Sequence, residues 1–293
     1  MPKLDAATLD RLAWVDRQER ADPLLSDEVR AHELRVARLS ARLAGAAGMD
    51  GPRQAQVFTA ARFHDAGKLS VPSAVLFKPG RLTADERLQM ARHTALGVEI
   101  LADAAGALQD DIHDAVRYHH ERYDGNGYER LAGERIPLVA RIVAIADVYD
   151  ALSATRSYKD GMAPGDALAK MAGDRGAFDP FLLRAFVARR LRDAPPDAVT
   201  PGQRAALEAF SLSDPMDDVA PGGPVTIKRS GHRIFWFVDG GGNRKQSAVM
   251  HPDGRMQQVG ARETGGPASD PRAATGPGAG SEPGLRRAGP ESP

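Results

Sequence analysis

The chain of 293 residues contains no cysteine and carries 39 basic and 39 acidic residues. This length is enough for one or two domains with a sizeable core, and the balanced charge argues against a nucleic-acid polymer or an anionic membrane as the partner of the whole chain. Without cysteine there are no disulfides or thiolate ligands, so any bound metal must be held by nitrogen and oxygen atoms.

The first 24 residues predict a helical extension rather than a targeting segment. They lack the basic start and the apolar core of a signal peptide. No later stretch reaches the roughly 18 consecutive apolar residues that a membrane span requires. The sequence therefore predicts a cytoplasmic protein without a membrane-spanning segment.

Apolar residues at helical spacing predict that the chain is helical to about residue 192. Thr83, followed three residues later by Glu86, is a capping box for one of these helices. Asp179 and Pro180 are typical of the cap and the first residue of another helix. The predicted helices after the N-terminal extension cover residues 26–47, 52–63, 84–104, 111–120, 137–156 and 180–191.

The composition changes after residue 195. Residues 196–222 are predicted to be a linker with one short helix. Alternating β-branched and aromatic residues, separated by glycine and Asp-Gly turns, predict a small antiparallel β module at 223–262. Residues 263–293 are mostly small residues, proline and arginine, which cannot bury enough apolar area to offset chain entropy. We therefore predict that they form a disordered tail.

Polar residues of the helical part point to a metal site. A lone helical histidine such as His113 is usually structural. An ionised Asp147 inside an apolar helix, however, requires a cationic neighbour. Glu28 and His32 are four residues apart and share one helix face. One bundle would have to bury a whole set of such groups, and imidazoles and carboxylates around one centre are typical of a divalent-metal site. The set is Glu28, His32, His64, Asp65, His93, His119, His120 and Asp147.

Several separate motifs occur in the order and spacing of one known family. They are His32, His64-Asp65-x-Gly67-Lys68, His93, His119-His120-Glu121, Asp124-Gly125-x-Gly127-Tyr128, Ile136-Pro137 and Ala146-Asp147-Val148-x-Asp150-Ala151-Leu152. With these motifs, residues 25 to about 190 resemble the HD-GYP family, a branch of the HD-domain metal phosphohydrolases whose known substrate is the bacterial messenger cyclic di-GMP. The resemblance implies a mainly α protein in which residues 25–195 form an HD-type helical bundle.

The resemblance also implies a role for each candidate residue. Asp65 would bridge two metal ions, and Lys68 would join it in catalysis. Glu28 matches the additional carboxylate of members that hold a third metal. The implied ligands of the first metal are His32, His64, Asp65 and Asp147, and those of the second are Asp65, His93, His119 and His120. The implied substrate-binding residues are Lys68, Tyr128, Arg156 and Lys159.

The implied reaction is metal-dependent hydrolysis of cyclic di-GMP to the linear dinucleotide, with a second cut to GMP as a further step. Two or three divalent ions, preferably iron or manganese, would lower the pKa of a bridging water so that hydroxide is available near neutral pH. Two alternatives remain open. One is an HD phosphohydrolase for another nucleotide phosphoester. The other is an HD-GYP protein with little or no turnover that binds cyclic di-GMP or a protein partner.

The chain departs from the family at Glu129, which stands where the family tripeptide Gly-Tyr-Pro has proline. Glu129 restores a backbone N–H and frees one backbone angle, so we expect a less preorganised loop. It also brings a negative charge towards an anionic ligand. Substrate affinity, or contact with a signalling protein through the loop 121–136, is therefore where we expect this chain to differ. The β module is a second candidate surface for such a partner, and the sequence leaves a homodimer open.

Overall fold

The computed structural model describes residues 6–21, 27–102, 110–155, 160–195, 197–213, 215, 226–229, 232–238, 244–250 and 256–259. The side chains of residues 7, 27 and 28 and of the four strands lie outside this description. The predicted tail, 263–293, lies outside the described residues altogether.

The described part of the chain is mainly helical, as predicted. Its helices are α1 (Ala6–Ala21), α2 (Asp27–Ala46), α3 (Gly51–Arg62), α4 (Ser73–Leu76), α5 (Ala84–Ala91), α6 (His93–Leu101), α7 (Asp110–Tyr118), α8 (Leu138–Ser153), α9 (Pro164–Gly173), α10 (Pro180–Asp193) and α11 (Pro201–Leu212). Short 3₁₀ helices occupy Ala66–Ser70 and Gly133–Arg135. No described helix is both long and apolar enough to cross a membrane.

Two predicted helix starts are confirmed at the level of single hydrogen bonds. The Thr83 side chain accepts from the Glu86 amide, and the Glu86 carboxylate accepts from the Thr83 amide. Asp179 caps α10 by accepting from the amides of the next helical residues. These caps satisfy backbone donors that the first helical turn leaves without partners.

Two of the predicted boundaries that differ from the structure lie at candidate ligands. The helix predicted over 84–104 is broken at Arg92, so that His93 opens α6 as a separate helix. The new start lets the α6 backbone approach the 3₁₀ helix Ala66–Ser70, where a Cβ on Gly67 would lie 1.8 Å from the His93 carbonyl oxygen. The helix predicted over 111–120 ends at Tyr118, so the paired histidines follow α7 instead of closing it. The spacing of apolar residues predicts neither the break at Arg92 nor the end of α7 at Tyr118.

The helices surround one apolar core. α8 crosses it with nearly every residue from Val139 to Ala146 buried. α2 packs against α3 and α8, and α7 packs against α3, α6 and α8. This arrangement brings the ends of several helices to one region, where the polar residues predicted to form a metal site are found.

Four strands are described after α11. They are β1 (Thr226–Arg229), β2 (His232–Val238), β3 (Arg244–Met250) and β4 (Met256–Val259). They pair antiparallel in the order β1-β2-β3-β4, with a register shift between Phe237 and Val238. Whether residues 223–262 form a separate module, and the other domain boundaries drawn from the sequence, stay predictions.

Candidate metal centre

The candidate ligands come from five separate segments of the helical part. His32 lies on α2, and His64 and Asp65 follow the end of α3. His93 is the first residue of α6, and Asp147 lies on α8. His119 and His120 follow α7. The fold therefore brings together seven of the eight side chains that the sequence proposed as ligands, in two groups whose donor atoms each lie within 4.8 Å of one another.

The first group consists of His32, His64 and Asp147. Oδ1 of Asp147 lies 3.2 Å from Nε2 of His32 and 3.8 Å from Nε2 of His64. His64 is fully buried, and the Asp147 side chain is 13% exposed. A carboxylate and two imidazoles thus converge at the edge of the core, with Asp147 on the side that solvent reaches.

The second group consists of Asp65, His93, His119 and His120. Oδ1 of Asp65 lies 3.4 Å from Nε2 of His93 and 3.7 Å from Nε2 of His119. Its other oxygen, Oδ2, lies 3.4 Å from Nε2 of His64 in the first group. Asp65 therefore presents one carboxylate oxygen to each group, which is the arrangement of a bridging ligand.

Backbone carbonyls fix the tautomer of three of these histidines. A carbonyl oxygen only accepts hydrogen bonds, so each Nδ1 must donate its proton. The Nε2 atom is then left with its lone pair, and it is Nε2 that faces the centre. The pairs are His64 with Ala61 O at 2.8 Å, His93 with Met90 O at 2.7 Å, and His119 with Ala115 O at 2.9 Å.

His32 is oriented by a carboxylate instead. Its Nδ1 lies 2.7 Å from Oδ2 of Asp150, a buried residue one helical turn after Asp147 on α8. Asp150 is held in turn by Arg35, whose Nε and second guanidinium nitrogen donate to its two oxygens at 2.7 and 3.0 Å. The chain Arg35–Asp150–His32 positions the imidazole and strengthens its basicity.

Burial and neighbouring charges set the protonation of the two carboxylates. Burial alone would raise the pKa of Asp65, but Lys68 and the nearby histidines hold it well below its usual range. Burial would likewise raise the pKa of Asp147, yet its contacts with His32 and His64 hold it well below that range. Both aspartates are therefore ionised at neutral pH and available as ligands.

The histidines separate into two kinds. Burial lowers the pKa of His93 and brings that of His120 to about 4. Burial, together with His120, lowers the pKa of His119 well below its usual value. These three rings are neutral near pH 7, as metal ligands must be. Burial acts in the same direction on His32, but Asp147 and Asp150 raise its pKa to about 9. His32 would therefore have to release a proton when it binds a metal.

Two buried atoms test whether a cation fits this donor set. Within the described residues, Nε2 of His64 and Oδ1 of Asp65 are buried and have no hydrogen-bond partner. A buried polar atom left in this way costs free energy unless something pairs with it. Both atoms point into the two groups, and imidazole with carboxylate is a donor set for iron, manganese or zinc. The residues present therefore fit divalent metal ions.

Lys68 and Tyr128 lie at the rim of the centre. The Lys68 ammonium forms an ion pair with Oδ2 of Asp65. The pKa of Lys68 is raised, since the attraction of Asp65 outweighs the effect of burial. The ring of Tyr128, which is 47% exposed, packs against His120 with ring centroids 4.8 Å apart.

The structure does not describe the side chains of three predicted site residues. These residues are Glu28, which belongs to α2, and Arg156 and Lys159, which lie outside the described part of the chain. Their assignments as a further metal ligand and as substrate-binding residues stay predictions. His113, set aside as structural, is 37% exposed and pairs with Asp114, away from both groups.

The sequence motifs include Asp150 and Glu121, but the sequence analysis gave neither residue a role in supporting the ligands. Asp150 stands three residues after Asp147, so the two share a helix face, and this spacing could have marked it as the partner of a ligand. Glu121 is buried and accepts hydrogen bonds from the amides of Glu129 and Leu131, each at 2.6 Å. The hydrogen bonds that Glu121 accepts from the loop could not be predicted from the sequence, because they depend on the folded conformation of the loop.

Comparison with known proteins identifies the family. The model of the HD domain family matches residues 11–182, which is more than half of the chain. The chain belongs to the HD domain family. This agrees with the order of His64-Asp65 and the other ligands in the sequence and with the mainly helical fold.

Relatives with assigned activities match about half of the chain. The cyclic di-GMP phosphodiesterase response regulator RpfG of Xanthomonas campestris is 48% identical over 134 residues, 45% of this chain and 35% of its own. A cyclic di-GMP phosphodiesterase of Pseudomonas aeruginosa is 40% identical over 159 residues, 53% of this chain and 38% of its own. The 3'3'-cGAMP-specific phosphodiesterase 2 of Vibrio cholerae is 40% identical over 164 residues, 55% of this chain and 31% of its own. The chain thus spans about a third of the length of these relatives, and their names support the resemblance to the HD-GYP branch.

Proposed function

We propose that the protein is a metal-dependent phosphodiesterase that hydrolyses cyclic di-GMP to the linear dinucleotide and further to GMP. The observation that carries this proposal is the position of Asp65. Its two oxygens face two separate groups of histidines, at 3.4 Å from His64 on one side and 3.4 Å from His93 on the other. A carboxylate shared in this way suits two neighbouring divalent ions better than a single one.

Iron or manganese is the metal that we propose for this centre. The donors are imidazole nitrogens and carboxylate oxygens with no thiolate, a set that these ions accept readily. The first ion would be held by His32, His64, Asp65 and Asp147, and the second by Asp65, His93, His119 and His120. A third ion would require Glu28.

Different residues of the chain are proposed to hold the metal ions and to contact the substrate. Bound divalent ions supply a water of lowered pKa and positive charge beside the phosphodiester. Lys68, which pairs with Asp65, adds a cation at the rim where phosphate oxygens would be neutralised. The half-exposed ring of Tyr128 offers a face for a base or ribose beside the same rim. Arg156 and Lys159 are proposed to contact the second phosphate.

The choice of cyclic dinucleotide is drawn from the relatives. Two of those described above are named as cyclic di-GMP phosphodiesterases and one as specific for 3'3'-cGAMP. We favour cyclic di-GMP because two of these three names specify it. We treat 3'3'-cGAMP as the second candidate because both compounds are rings of two purine nucleotides joined by phosphodiesters.

The decisive experiment is hydrolysis by the metal-loaded full chain. The protein is loaded anaerobically with Fe²⁺ or Mn²⁺ and incubated in parallel with cyclic di-GMP and 3'3'-cGAMP, and the products are separated by chromatography. We expect the linear dinucleotide to appear first and GMP later from cyclic di-GMP. The matched control is His64→Ala/Asp65→Ala, which removes one ligand from the first group together with the bridging carboxylate.

Each other outcome has a defined meaning. Faster turnover of 3'3'-cGAMP would change the substrate but keep the reaction. Metal bound in near-stoichiometric amount without turnover of either compound would replace the enzyme by a cyclic dinucleotide-binding or protein-interaction module. Equal inactivity of wild type and control with every metal would end the phosphodiesterase proposal.

A further inference from the structure

His120 differs from the other candidate histidines in the way its ring is held. Each of the other four has its Nδ1 within hydrogen-bond distance of a carbonyl or carboxylate oxygen. No hydrogen bond joins the His120 ring to another described residue. Its neighbours are aromatic instead, with ring centroids 5.0 Å away at His93, 4.1 Å at His119 and 4.8 Å at Tyr128. Packing, not hydrogen bonding, therefore restricts its rotation.

Tyr128 supplies the part of this packing that does not come from the other ligands. Its ring is inclined by 43° to that of His120. With 47% of its surface exposed, Tyr128 is not held in place by the hydrophobic core. Its position must come from the backbone of the loop that carries it.

Glu121 fixes this backbone on both sides of Tyr128. Before the tyrosine, a Cβ on Gly127 would lie 2.5 Å from the Cα of Glu121 and 2.8 Å from its Oε1, so only glycine permits this close approach. After the tyrosine, the buried Glu121 carboxylate accepts from the amides of Glu129 and Leu131, each at 2.6 Å. The loop is thus wrapped around one carboxylate.

Glu129 holds the loop with its side chain as well. Its Oε1 lies 2.7 Å from a guanidinium nitrogen of Arg117 on α7, the helix that ends just before His119. The charge that Glu129 brings is therefore paired at the helix. Proline at this position would provide neither the amide donor to Glu121 nor the ion pair to Arg117.

We infer that Tyr128 is a positioning residue for the candidate metal ligand His120, and that Glu129 holds Tyr128 in place. The tripeptide Gly127-Tyr128-Glu129 then belongs to the support of the second metal group, in addition to any contact with substrate. This inference rests on the metal centre of the proposed function. It modifies the expectation that Glu129 leaves the loop less preorganised, since its amide and carboxylate both restrain the loop.

Manganese binding to the full chain tests this inference without a substrate. The protein is stripped of metal and titrated with Mn²⁺, and free manganese is followed by electron paramagnetic resonance. The titrations are repeated in a His32→Ala background, which weakens the first group so that the group containing His120 is read more directly. We expect Tyr128→Ala to bind about tenfold more weakly there, in line with the loss of an outer-shell partner. Tyr128→Phe should keep the wild-type affinity, because it keeps the ring.

One variant, paired with a control at a second residue, addresses Glu129. Glu129→Pro removes the amide donor and the ion pair, and we expect a loss of affinity between about two- and tenfold, the range for one net hydrogen bond. Glu134→Gln is the matched control, because it neutralises an exposed carboxylate of the same loop. It should bind manganese as the wild type does.

Several results would overturn the inference. Unchanged affinity in Tyr128→Ala would remove the role of the ring, and equal weakening in Tyr128→Phe would show that packing is not what matters. Equal weakening in Glu129→Pro and Glu134→Gln would assign the effect to loop charge in general. Because turnover is not the readout, an inactive wild type would count against the proposed function and leave this test intact. Circular dichroism confirms that each variant is folded before titration.

Discussion

At the scale of single residues, the candidate centre depends on side chains that would touch no metal. Asp150 accepts from His32 at 2.7 Å and is clamped by Arg35. Buried at 3% exposure, Asp150 cannot exchange these contacts for water. Its charge keeps the imidazole in one orientation with Nε2 towards Asp147. Residues that hold a ligand in this way, without touching the metal, commonly make a large contribution to metal affinity.

Replacing Asp150 by asparagine should separate this contribution from that of the ligands. The variant keeps the shape but loses the charge, so the basicity of His32 falls. We expect manganese affinity of the first group to drop about 10- to 100-fold. The measurement is a competition titration against a fluorescent chelator, with Asp166→Asn as the control, since Asp166 is an exposed carboxylate on α9. Equal affinities of Asp150→Asn and wild type would show that Asp150 is not needed to orient His32.

Residue types and spacing singled out the candidate ligands, but they gave no role to the residues that support them. Seven of the candidate ligands are histidines or aspartates in apolar surroundings, where such polar groups are unusual. The motif pattern was therefore enough to group them. Glu121 and Arg117 were not proposed, because an acidic and a basic residue near a loop look like ordinary solvated charges. Only the folded loop shows that the Glu121 carboxylate accepts from two amides ten residues or fewer away.

At the scale of elements, the centre requires the 3₁₀ helix Ala66–Ser70 to lie directly on the start of α6. A Cβ on Gly67 would lie 1.8 Å from the His93 carbonyl oxygen and 2.5 Å from the Gly97 amide nitrogen. Both of those atoms are backbone, so neither can turn aside as a flexible side chain could. The contact sets how closely Asp65, two residues before Gly67, approaches His93.

Gly67→Ala should therefore damage the centre and the fold together. The added methyl group must push the 3₁₀ helix away from α6, which we expect to destabilise the protein by about 1–3 kcal/mol and to prevent near-stoichiometric metal binding. Metal content after gel filtration and thermal unfolding measure the two effects. Gly202→Ala is the control, because a Cβ there meets nothing within 4 Å. Normal metal content in Gly67→Ala would show that the close approach is dispensable.

A second contact between elements joins α1 to the helices that carry ligands. Arg62, at the end of α3, pairs with Glu19 and Asp16 of α1, each at 2.9 Å, and with Glu33 of α2. Glu19 and Glu33 are almost fully buried, and burial raises the pKa of both. Arg62 lies two residues before His64, and Glu33 follows His32. The cluster thus ties α1 to both segments.

Arg62→Met should cost much more stability than the loss of an exposed pair on the same helix. It leaves two buried carboxyl groups without their cation, for which we expect a decrease of about 3–5 kcal/mol in the free energy of unfolding. Arg53→Met breaks only exposed side-chain contacts, the pair with Asp111 and a hydrogen bond to Gln56, for which about 0–1 kcal/mol is expected. Urea denaturation of the two variants gives the comparison. Similar losses in both would show that the cluster does not anchor α1.

Helix positions were predictable because apolar spacing and caps are local properties, whereas their breaks were not. The capping box at Thr83 was visible in four residues, and it is present in the structure. The break at Arg92 instead serves the contact between Gly67 and His93, which lie 26 positions apart in the chain. A pattern read within one helix carries no information about such an approach.

At the scale of the whole molecule, the candidate centre joins parts of the chain that are distant in sequence. The ligands extend from His32 on α2 to Asp147 on α8, with three further segments between them. Asp65 connects the two groups, so an ion in either group is linked to ligands of the other. Bound metal would therefore act as a further cross-link among helices that the apolar core and the ion pairs of Arg62 hold together.

Metal binding should for this reason stabilise the fold as a whole. An ion that binds only the folded chain, at a concentration 100 times its dissociation constant, adds about 2.7 kcal/mol. For a domain of this size, that corresponds to a rise of roughly 5–10 °C in Tm. Thermal unfolding of the metal-free full chain with and without Mn²⁺ measures the shift, and His64→Ala/Asp65→Ala should show little of it. If wild type and this variant shifted equally, manganese would be acting elsewhere on the chain, because the variant lacks the carboxylate that links the two groups.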